Sequence, residues 1–509
     1  MSNNQTKIYI IHITKLNSRV PYNFEDTMLN YHFFHKKDLE RILDECLNKT
    51  LGEVDSNNVF DRTKIHPKIT GIAGDVIEQS VLGYPPDTRQ EPDLDVDGVK
   101  TELKTTGIKY KKNKTEFVAK EPMTITAVSP DVIVNETFDD SNFWHKLAHL
   151  LFVYYLYDSP TTVKAAEYAN FPIKGYQFYE FNSEDTEILK NDWKIVRNFI
   201  RYLQDEFDDY EDEYPRISYE LRPKLMYIDT APKWPHKPRF RLKQSVVSSI
   251  VQDHFGETLE QLPKTYTSYS EIDETCHELT EQYGGKAIHE LIDLLDINVK
   301  TVNKSIGEQI IVRMFGGTSK KMQGIKLFNK LGIMGKTLTL TERGLRKEDM
   351  KLFTIDFSEF TEDIEFEDSQ SYEYFANNRL LCIIFQRPHA KAEWNDNIFL
   401  GFKMITFDEE FIENDVRNTW ERIKNLVVND KLEDVIVLNK HGQPRRNPSG
   451  NIMSAPNFPK SSEGNVFVRG TSSTSDVKPL ILNGIKMYNQ QMWVKGLYIV
   501  EKLNNENYI

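Results

Sequence analysis

Cysteine is scarce in this chain. Its three thiols, Cys46, Cys276 and Cys382, are odd in number and far apart, which excludes a disulfide framework and a zinc site. Long apolar runs are also missing. LLFVYYL at 150–156 is the longest candidate, and it falls far short of the roughly 18 residues a membrane helix needs. The opening MSNNQTKIYIIHITK has no basic segment ahead of its apolar run and no small-residue cleavage site, so no secretory leader is expected. These absences predict a soluble, cytoplasmic protein with no membrane partner. An excess of positive charge is lacking too: 64 Lys and Arg stand against 77 Asp and Glu, a net charge of −13.

The sum of charge decides little, because binding depends on where charge sits. Acid is concentrated in runs such as DEFDDYEDE (205–213) and the stretch 362–368. Basic residues cluster elsewhere: Lys109, Lys111, Lys112 and Lys114; Lys237, Arg239, Arg241 and Lys243; and Lys440, Arg445 and Arg446. Taken singly, each cluster reads as a solvated face. The length of 509 residues predicts two to four domains, and 39% hydrophobic with 12% aromatic residues is enough for buried cores.

Self-similarity is more informative. KTLGEV (49–54) precedes GIAGDVIEQSVLGY (71–84), and KAIHEL (286–291) precedes SIGEQIIVRMFGG (305–317). LLFVYYL (150–156) has a counterpart in LLCIIF (380–385), and NDWKIVRNFIRYL (191–203) in NDVRNTWERIKNL (414–426). FRLKQSVVSSIV (240–251) pairs with MWVKGLYIVEKL (492–503). Five matches in one order predict two unequal copies of a mixed α/β plan. The polar, turn-prone stretch 256–272 marks the boundary, giving domains at 1–260 and 261–509. The Asn- and Pro-rich stretch 447–462 is expected to be a surface loop.

Chemistry concentrates in EPDLDVDGVKTELKTTG (91–107). Asp97-Gly98 predicts a two-residue hairpin turn, and folding there pairs Leu94 with Thr101, Asp95 with Lys100 and Val96 with Val99. Leu94, Thr101, Val96, Val99 and Leu103 then share one face; Asp93, Asp95, Lys100, Glu102 and Lys104 share the other. Asp95 opposite Lys100 is an ordinary ion pair. Asp93 opposite Glu102 is a like-charge pair, which is destabilising unless something offsets it. Mg²⁺ would do so, held by Asp93, Glu102 and a backbone carbonyl such as that of Leu103. Lys104 points to the same face, where it can assist an attacking water or stabilise negative charge on phosphate. By linear spacing Asp95 competes with Asp93; the strand pairing and the Pro92-Asp93 context favour Asp93.

Three neighbours add to this. Glu78 borders the apolar stripe Ala73, Val76, Ile77, Val81 of a predicted helix, where a carboxylate is costly unless paired or metal-linked. Lys146 precedes the strongly apolar stretch 147–156. YELRPK (219–224) alternates like a strand that sets Arg222 and Lys224 on one side.

With these motifs in hand, the first half resembles the MutH family, which includes the mismatch-repair nicking enzyme and restriction endonucleases that cut GATC. The resemblance rests on GIAGDVIEQSVLG, EPDLDVDGVKTELKTT, ETFDDSNFWHKL (136–147), LKNDWKIVRNFIRYL, YELRPK and FRLKQSVVSSIVQDHF, and covers nearly all of residues 30–255 in family order. It implies a restriction-endonuclease-like fold with Mg²⁺ as cofactor and double-stranded DNA as partner. It assigns catalytic and metal roles to Glu78, Asp93, Glu102, Lys104 and Lys146. The family usually has a tighter GVELK; here GVKTELK carries two more residues. More loosely, the resemblance places Arg222, Lys224, Arg241 and Lys243 against DNA. Arg241 stands where relatives have an aromatic.

In the second half, Ile311 is expected opposite Glu78, and Lys336 and Leu338 opposite Glu102 and Lys104, leaving no carboxylate pair. A catalytic copy fused to a degenerate one implies a type II restriction endonuclease, with residues 261–509 binding DNA and acting allosterically on the first copy, and with self-association on DNA. The alternatives are a mismatch-repair type strand-nicking endonuclease and a non-catalytic DNA-binding regulator.

Overall fold

The computed structural model describes residues 32–509 except 68, 86–90, 112–114, 160–162, 233–235, 300–304, 346–347, 362–363, 440, 447–449 and 473–477. The opening segment 1–31, the basic residues Lys112, Lys114 and Lys440, and the start of the 447–462 stretch therefore lie outside the described residues.

In the first half the strands run β1 (Phe33–Phe34), β2 (Leu94–Val96), β3 (Val99–Tyr110), β4 (Phe117–Ala119), β5 (Met123–Ala127), β6 (Leu150–Leu156), β7 (Ile173–Tyr179), β8 (Ile228–Ala231) and β9 (Arg239–Leu242). They form two sheets. The larger has the order β1-β2-β3-β6-β7 with β4 also on β3; the smaller is β5-β9-β8. β6 explains the arrangement: its seven residues are all buried, as suits a central strand covered on both faces. Its side chains alternate between two cores. Leu151, Val153 and Tyr155 join Leu94, Val96, Leu103, Val76 and Ile77 on one side. Phe152, Tyr154 and Leu156 meet Ile188, Trp193 and Val196 on the other. These last three come from the long helix Ser183–Glu206, whose start is capped by Asn182 accepting from the Asp185 amide at 2.8 Å.

The second half carries β10 (Ile333–Leu340), β11 (Met350–Thr354), β12 (Arg379–Gln386), β13 (Ile398–Ile405), β14 (Asp434–Ile436), β15 (Ser454–Pro456), β16 (Val466–Thr471), β17 (Leu480–Leu482), β18 (Ile485–Met487) and β19 (Asn489–Val494). The same plan recurs. β3 pairs β6 in parallel and β6 pairs β7 antiparallel; β10 pairs β12 in parallel and β12 pairs β13 antiparallel. The small sheet β5-β9-β8 has its counterpart in β11-β19-β16. In both copies the last strand leads straight into a helix, Gln244–His254 in one and Gly496–Asn505 in the other. The chain is thus mixed α/β.

Three expectations are corrected. Residues 219–224 are not a strand: the helix Arg216–Tyr219 ends there, and the Leu221 carbonyl closes a turn by accepting from the amides of Lys224 (2.8 Å) and Leu225 (3.1 Å). Pro223, which has no N–H to give a ladder, sits inside that turn. The 447–462 stretch is not all loop, since β15 lies within it and pairs with β14. Val99 is not part of an apolar core face; at the hairpin end it is 42% exposed.

The two halves share packing. One core runs from Ile188, Trp193 and Ile250 through Ile272, Ile310 and Phe328. Across it, Lys330 of the second half meets Asp185 of the first at 2.7 Å, with both side chains buried. No helix among the described residues is long and apolar enough to cross a membrane.

Candidate active site

The β2–β3 hairpin turns at Asp97 (φ 51°) and Gly98 (φ 88°), the positive values a two-residue turn of this hand requires. Its register is Leu94 to Thr101, Asp95 to Lys100 and Val96 to Val99. Asp95 is used by the turn. One of its oxygens accepts from the Gly98 amide at 2.8 Å, and the other lies 3.3 Å from Lys100.

Asp93 lies one step outside the Leu94–Thr101 pair, just before β2 begins. Its Oδ2 accepts from the Leu103 amide at 3.0 Å, and its carbonyl meets His32 Nδ1 at 2.7 Å. In a strand the N–H and C=O of one residue point to the same edge, so the Leu103 carbonyl also faces the Asp93 side. Glu102, the neighbour on β3, is only 2% exposed. Two ammonium groups meet it: Lys104 Nζ at 2.8 Å from Oε1, and Lys146 Nζ at 3.0 and 2.9 Å from Oε1 and Oε2. Lys146 reaches it from the end of the short helix Asn142–His145, just ahead of β6. Glu78 comes from the π-helical turn Ile77–Val81, which continues the helix Ile72–Val76.

Electrostatics tie these groups together. Burial first, then the Glu102 carboxylate, pushes Asp93 up to about 6, against the pull of Lys104 and Lys146. Burial first, then Asp93 and Asp75, pushes Glu78 up to about 7. The structure thus brings Glu78, Asp93, Glu102, Lys104 and Lys146 into one electrostatically coupled cluster, with the Leu103 backbone on its edge. Among the described residues no group of three His, Cys, Asp or Glu side chains is placed to hold a metal ion. The oxygen groups gathered here, the Asp93 and Glu102 carboxylates and the Leu103 carbonyl, are of the chemical kind that a hard cation takes.

The four residues expected against DNA are not brought to one surface. Lys224 is exposed. Arg222 is held at the contact with the second half, 2.9 Å from Glu409 and 3.3 Å from the Tyr372 hydroxyl. Arg241 is bidentate on Asp229, at 2.7 and 3.0 Å. Lys243 is 2% exposed and donates to the Leu225 carbonyl at 2.5 Å, so its ammonium holds the chain just after Arg222. The sequence reading missed the partner of that clamp. Asp192, fully buried on the long helix, accepts from the amides of Met226, Tyr227 and Ile228 at 2.9, 2.7 and 3.2 Å. The available signal was an aspartate on the apolar face of NDWKIV, a position tolerated only with such partners.

In the second half the strand pairing shifts the expected equivalences. Glu102 pairs with Leu150 and Lys104 with Phe152; Met334 pairs with Leu380 and Lys336 with Cys382. With LLFVYYL laid on LLCIIF, Met334 takes the place of Glu102 and Lys336 that of Lys104, two positions from the expected match of Lys336 and Leu338.

Comparison with known proteins agrees with this geometry. Residues 82–192 match the family model described as DNA mismatch repair enzyme MutH. Over 419 residues the chain is 26% identical to the type II restriction enzyme Sau3AI of Staphylococcus aureus, covering 77% of this chain and 80% of that enzyme. The matched stretch 82–192 is thus similar to the MutH family, and Asp93, Glu102, Lys104 and Lys146 all lie inside it.

Proposed function

We propose that this chain is a type II restriction endonuclease, a cytoplasmic enzyme that hydrolyses phosphodiester bonds of double-stranded DNA at 5′-GATC-3′ with Mg²⁺. One observation carries the reading: Asp93, Glu102 and Lys104 converge beside a backbone carbonyl, with Lys146 and Glu78 in support. The likeness to a restriction enzyme along most of both chains favours this over a strand-nicking repair enzyme. The retained carboxylates oppose a non-catalytic regulator.

In the reaction a water oxygen bonds to phosphorus, one P–O ester bond breaks, and the departing sugar oxygen takes a proton. Asp93, Glu102 and the Leu103 carbonyl would hold Mg²⁺, which would supply positive charge to the phosphate when bound. The Lys104 ammonium assists the attacking water and offsets charge that builds on phosphate oxygens. Lys146 fixes the direction of Glu102 by donating to both of its carboxylate oxygens. Glu78, raised to about 7, moderates the local charge. Arg222 and Lys224 face DNA in the bound state, Arg222 being suited to the O6 and N7 edge of guanine. Arg241 and Lys243 contribute by shaping that segment. The unit at 261–509 is degenerate, and two chains associate on the palindromic site.

The test is digestion of a sequenced plasmid, methylated and unmethylated, with the ends sequenced. Asp93→Ala and Glu102→Ala should abolish cleavage in Mg²⁺ while DNA binding persists, and Asp95→Ala should be the milder change. Near wild-type cleavage by either of the first two variants would overturn the site assignment.

A further inference from the structure

Residues 435–462 contain no Asp or Glu in a chain that has 77 of them, yet include Lys440, Arg445, Arg446 and Lys460. The described part of this stretch forms a small woven arm. β14 pairs with β15, the Val437 amide donates to the Met453 carbonyl, the Met453 amide to the Arg445 carbonyl, and the Arg445 amide to the Val437 carbonyl, at 2.8–2.9 Å. Arg445 and Arg446 are exposed on it. So are apolar side chains: Ile436 is 49%, Leu438 56% and Ile452 48% exposed. A ribbon this thin with no core of its own gains little from folding unless something is bound along it.

Its place in the fold says what that something is. In the first half, the segment between the long helix Ser183–Glu206 and β8 carries Arg222. In the second half, the corresponding segment lies between the helix Arg417–Val428 and β16, and it is this arm. The two copies thus differ where the first is read as facing DNA. There the second copy replaces an acid-rich stretch and a tight turn with an exposed basic ribbon.

We infer that the described residues of this arm, 434–439, 441–446 and 450–456, are a binding surface for the phosphate backbone of duplex DNA, with Arg445 and Arg446 as the contacts to phosphate. The inference rests on reading the chain as a DNA enzyme. A two-stranded ribbon has the width to enter a DNA groove, and its exposed aliphatic side chains suit the sugar surface along the backbone there. Such binding is independent of base sequence, because phosphate contacts position the protein without reading bases.

The experiment uses the full chain without divalent metal and a fluorescent duplex that lacks GATC. Anisotropy titrations at several salt concentrations give the slope of log affinity against log salt. The variant Arg445→Ala/Arg446→Ala should bind more weakly, with the slope reduced by about 1–2, roughly 0.9 per lost phosphate contact. A control pair of equal charge change on the first half, Lys37→Ala/Lys64→Ala, should leave the slope unchanged. Unaltered thermal unfolding of both variants checks that the fold is intact, as expected for exposed side chains. Equal slopes for wild type and the arm variant would overturn the inference. So would an equal loss in the control, or arm-dependent binding to phosphatidylserine vesicles without any to DNA. Plasmid cleavage by the wild type in Mg²⁺ is scored separately, so failure of the nuclease reading is distinguishable from failure of the arm.

Discussion

Lys146 holds both carboxylate oxygens of Glu102, at 3.0 and 2.9 Å, from 44 positions further along the chain. The pair is nearly dry: the side chains are 12% and 3% exposed. Lys104 adds a second ammonium at 2.8 Å from one of the same oxygens. A buried pair of this kind adds little net stability over apolar packing, but loss of one partner strands a charge.

Lys146→Ala should therefore destabilise the metal-free protein by about 3 kcal/mol, the low end for breaking a buried pair, because Lys104 remains. Urea unfolding at pH 7 measures it. An unchanged midpoint would mean that Glu102 does not depend on Lys146.

Asp93 and Glu78 make metal-free stability depend on pH. Their folded pKa values, about 6 and about 7, lie above the 3.8 and 4.5 of free carboxyls. Between those limits the folded chain keeps protons that the unfolded chain has released. The stability they contribute is full below about pH 4 and is lost as pH rises through 6 and 7. In EDTA, the melting temperature should fall between pH 5 and 8 by less in Asp93→Asn/Glu78→Gln than in wild type. At pH 8 the double variant should be the more stable protein. A parallel fall in both proteins would show that other groups set the pH response.

What was legible in the sequence follows from which interactions are local. The hairpin register could be read because an Asp-Gly turn and period-two alternation fix it within ten residues. The place of Lys146 beside Glu102 came through resemblance alone, since the parallel β3–β6 pairing joins segments 48 positions apart and brings Lys146 to Glu102 across 44. YELRPK misled because alternation in six residues does not distinguish a strand from a helix end running into a turn, and Pro223 was the overlooked sign. In the second half the equivalence slipped by two residues, which preserves the face of every side chain, so only the partner strand β12 exposes it. Asp192 stayed hidden because its three partners are backbone amides, which no side-chain pattern announces.

Arg222 gives a prediction on specificity. Its guanidinium lies between Glu409 and the ring of Tyr372, whose centroid is 5.5 Å away. If it turns to a guanine edge on DNA, Arg222→Ala should lose about 1–3 kcal/mol of discrimination between GATC and singly substituted sites. Relative cleavage rates on a panel of such duplexes report this. A uniform loss on every sequence would make Arg222 a phosphate contact.

The shared core predicts the fate of a shortened chain. Ending at residue 260 removes Ile272, Ile310 and Phe328 from the cluster that contains Ile188 and Trp193, and leaves Asp185 without Lys330. Such a fragment should be poorly soluble or melt without cooperativity, by scanning calorimetry. A sharp transition near that of the full chain would show that the first half is self-sufficient.

Double-strand cleavage sets the last expectation. A palindrome presents the same phosphate on two strands related by two-fold symmetry, whereas the described residues of each chain offer a single such cluster, built on Asp93, Glu102 and Lys104. In the second half, Met334 occupies the register position of Glu102, which removes one of the two carboxylates that a metal would need there. Either two chains meet on one site, or one chain nicks, turns and nicks again. Two chains should give a cleavage rate that rises faster than linearly with protein at limiting concentration, little nicked circle, and faster cutting per site on a plasmid with two sites. Successive nicking gives a linear rate and an early wave of nicked circles. A chain lacking Glu102 adds a sharper arm: mixed with wild type, Glu102→Ala should convert linear product into nicked circle if both chains are needed. Unchanged linear product in that mixture would sink the two-chain reading.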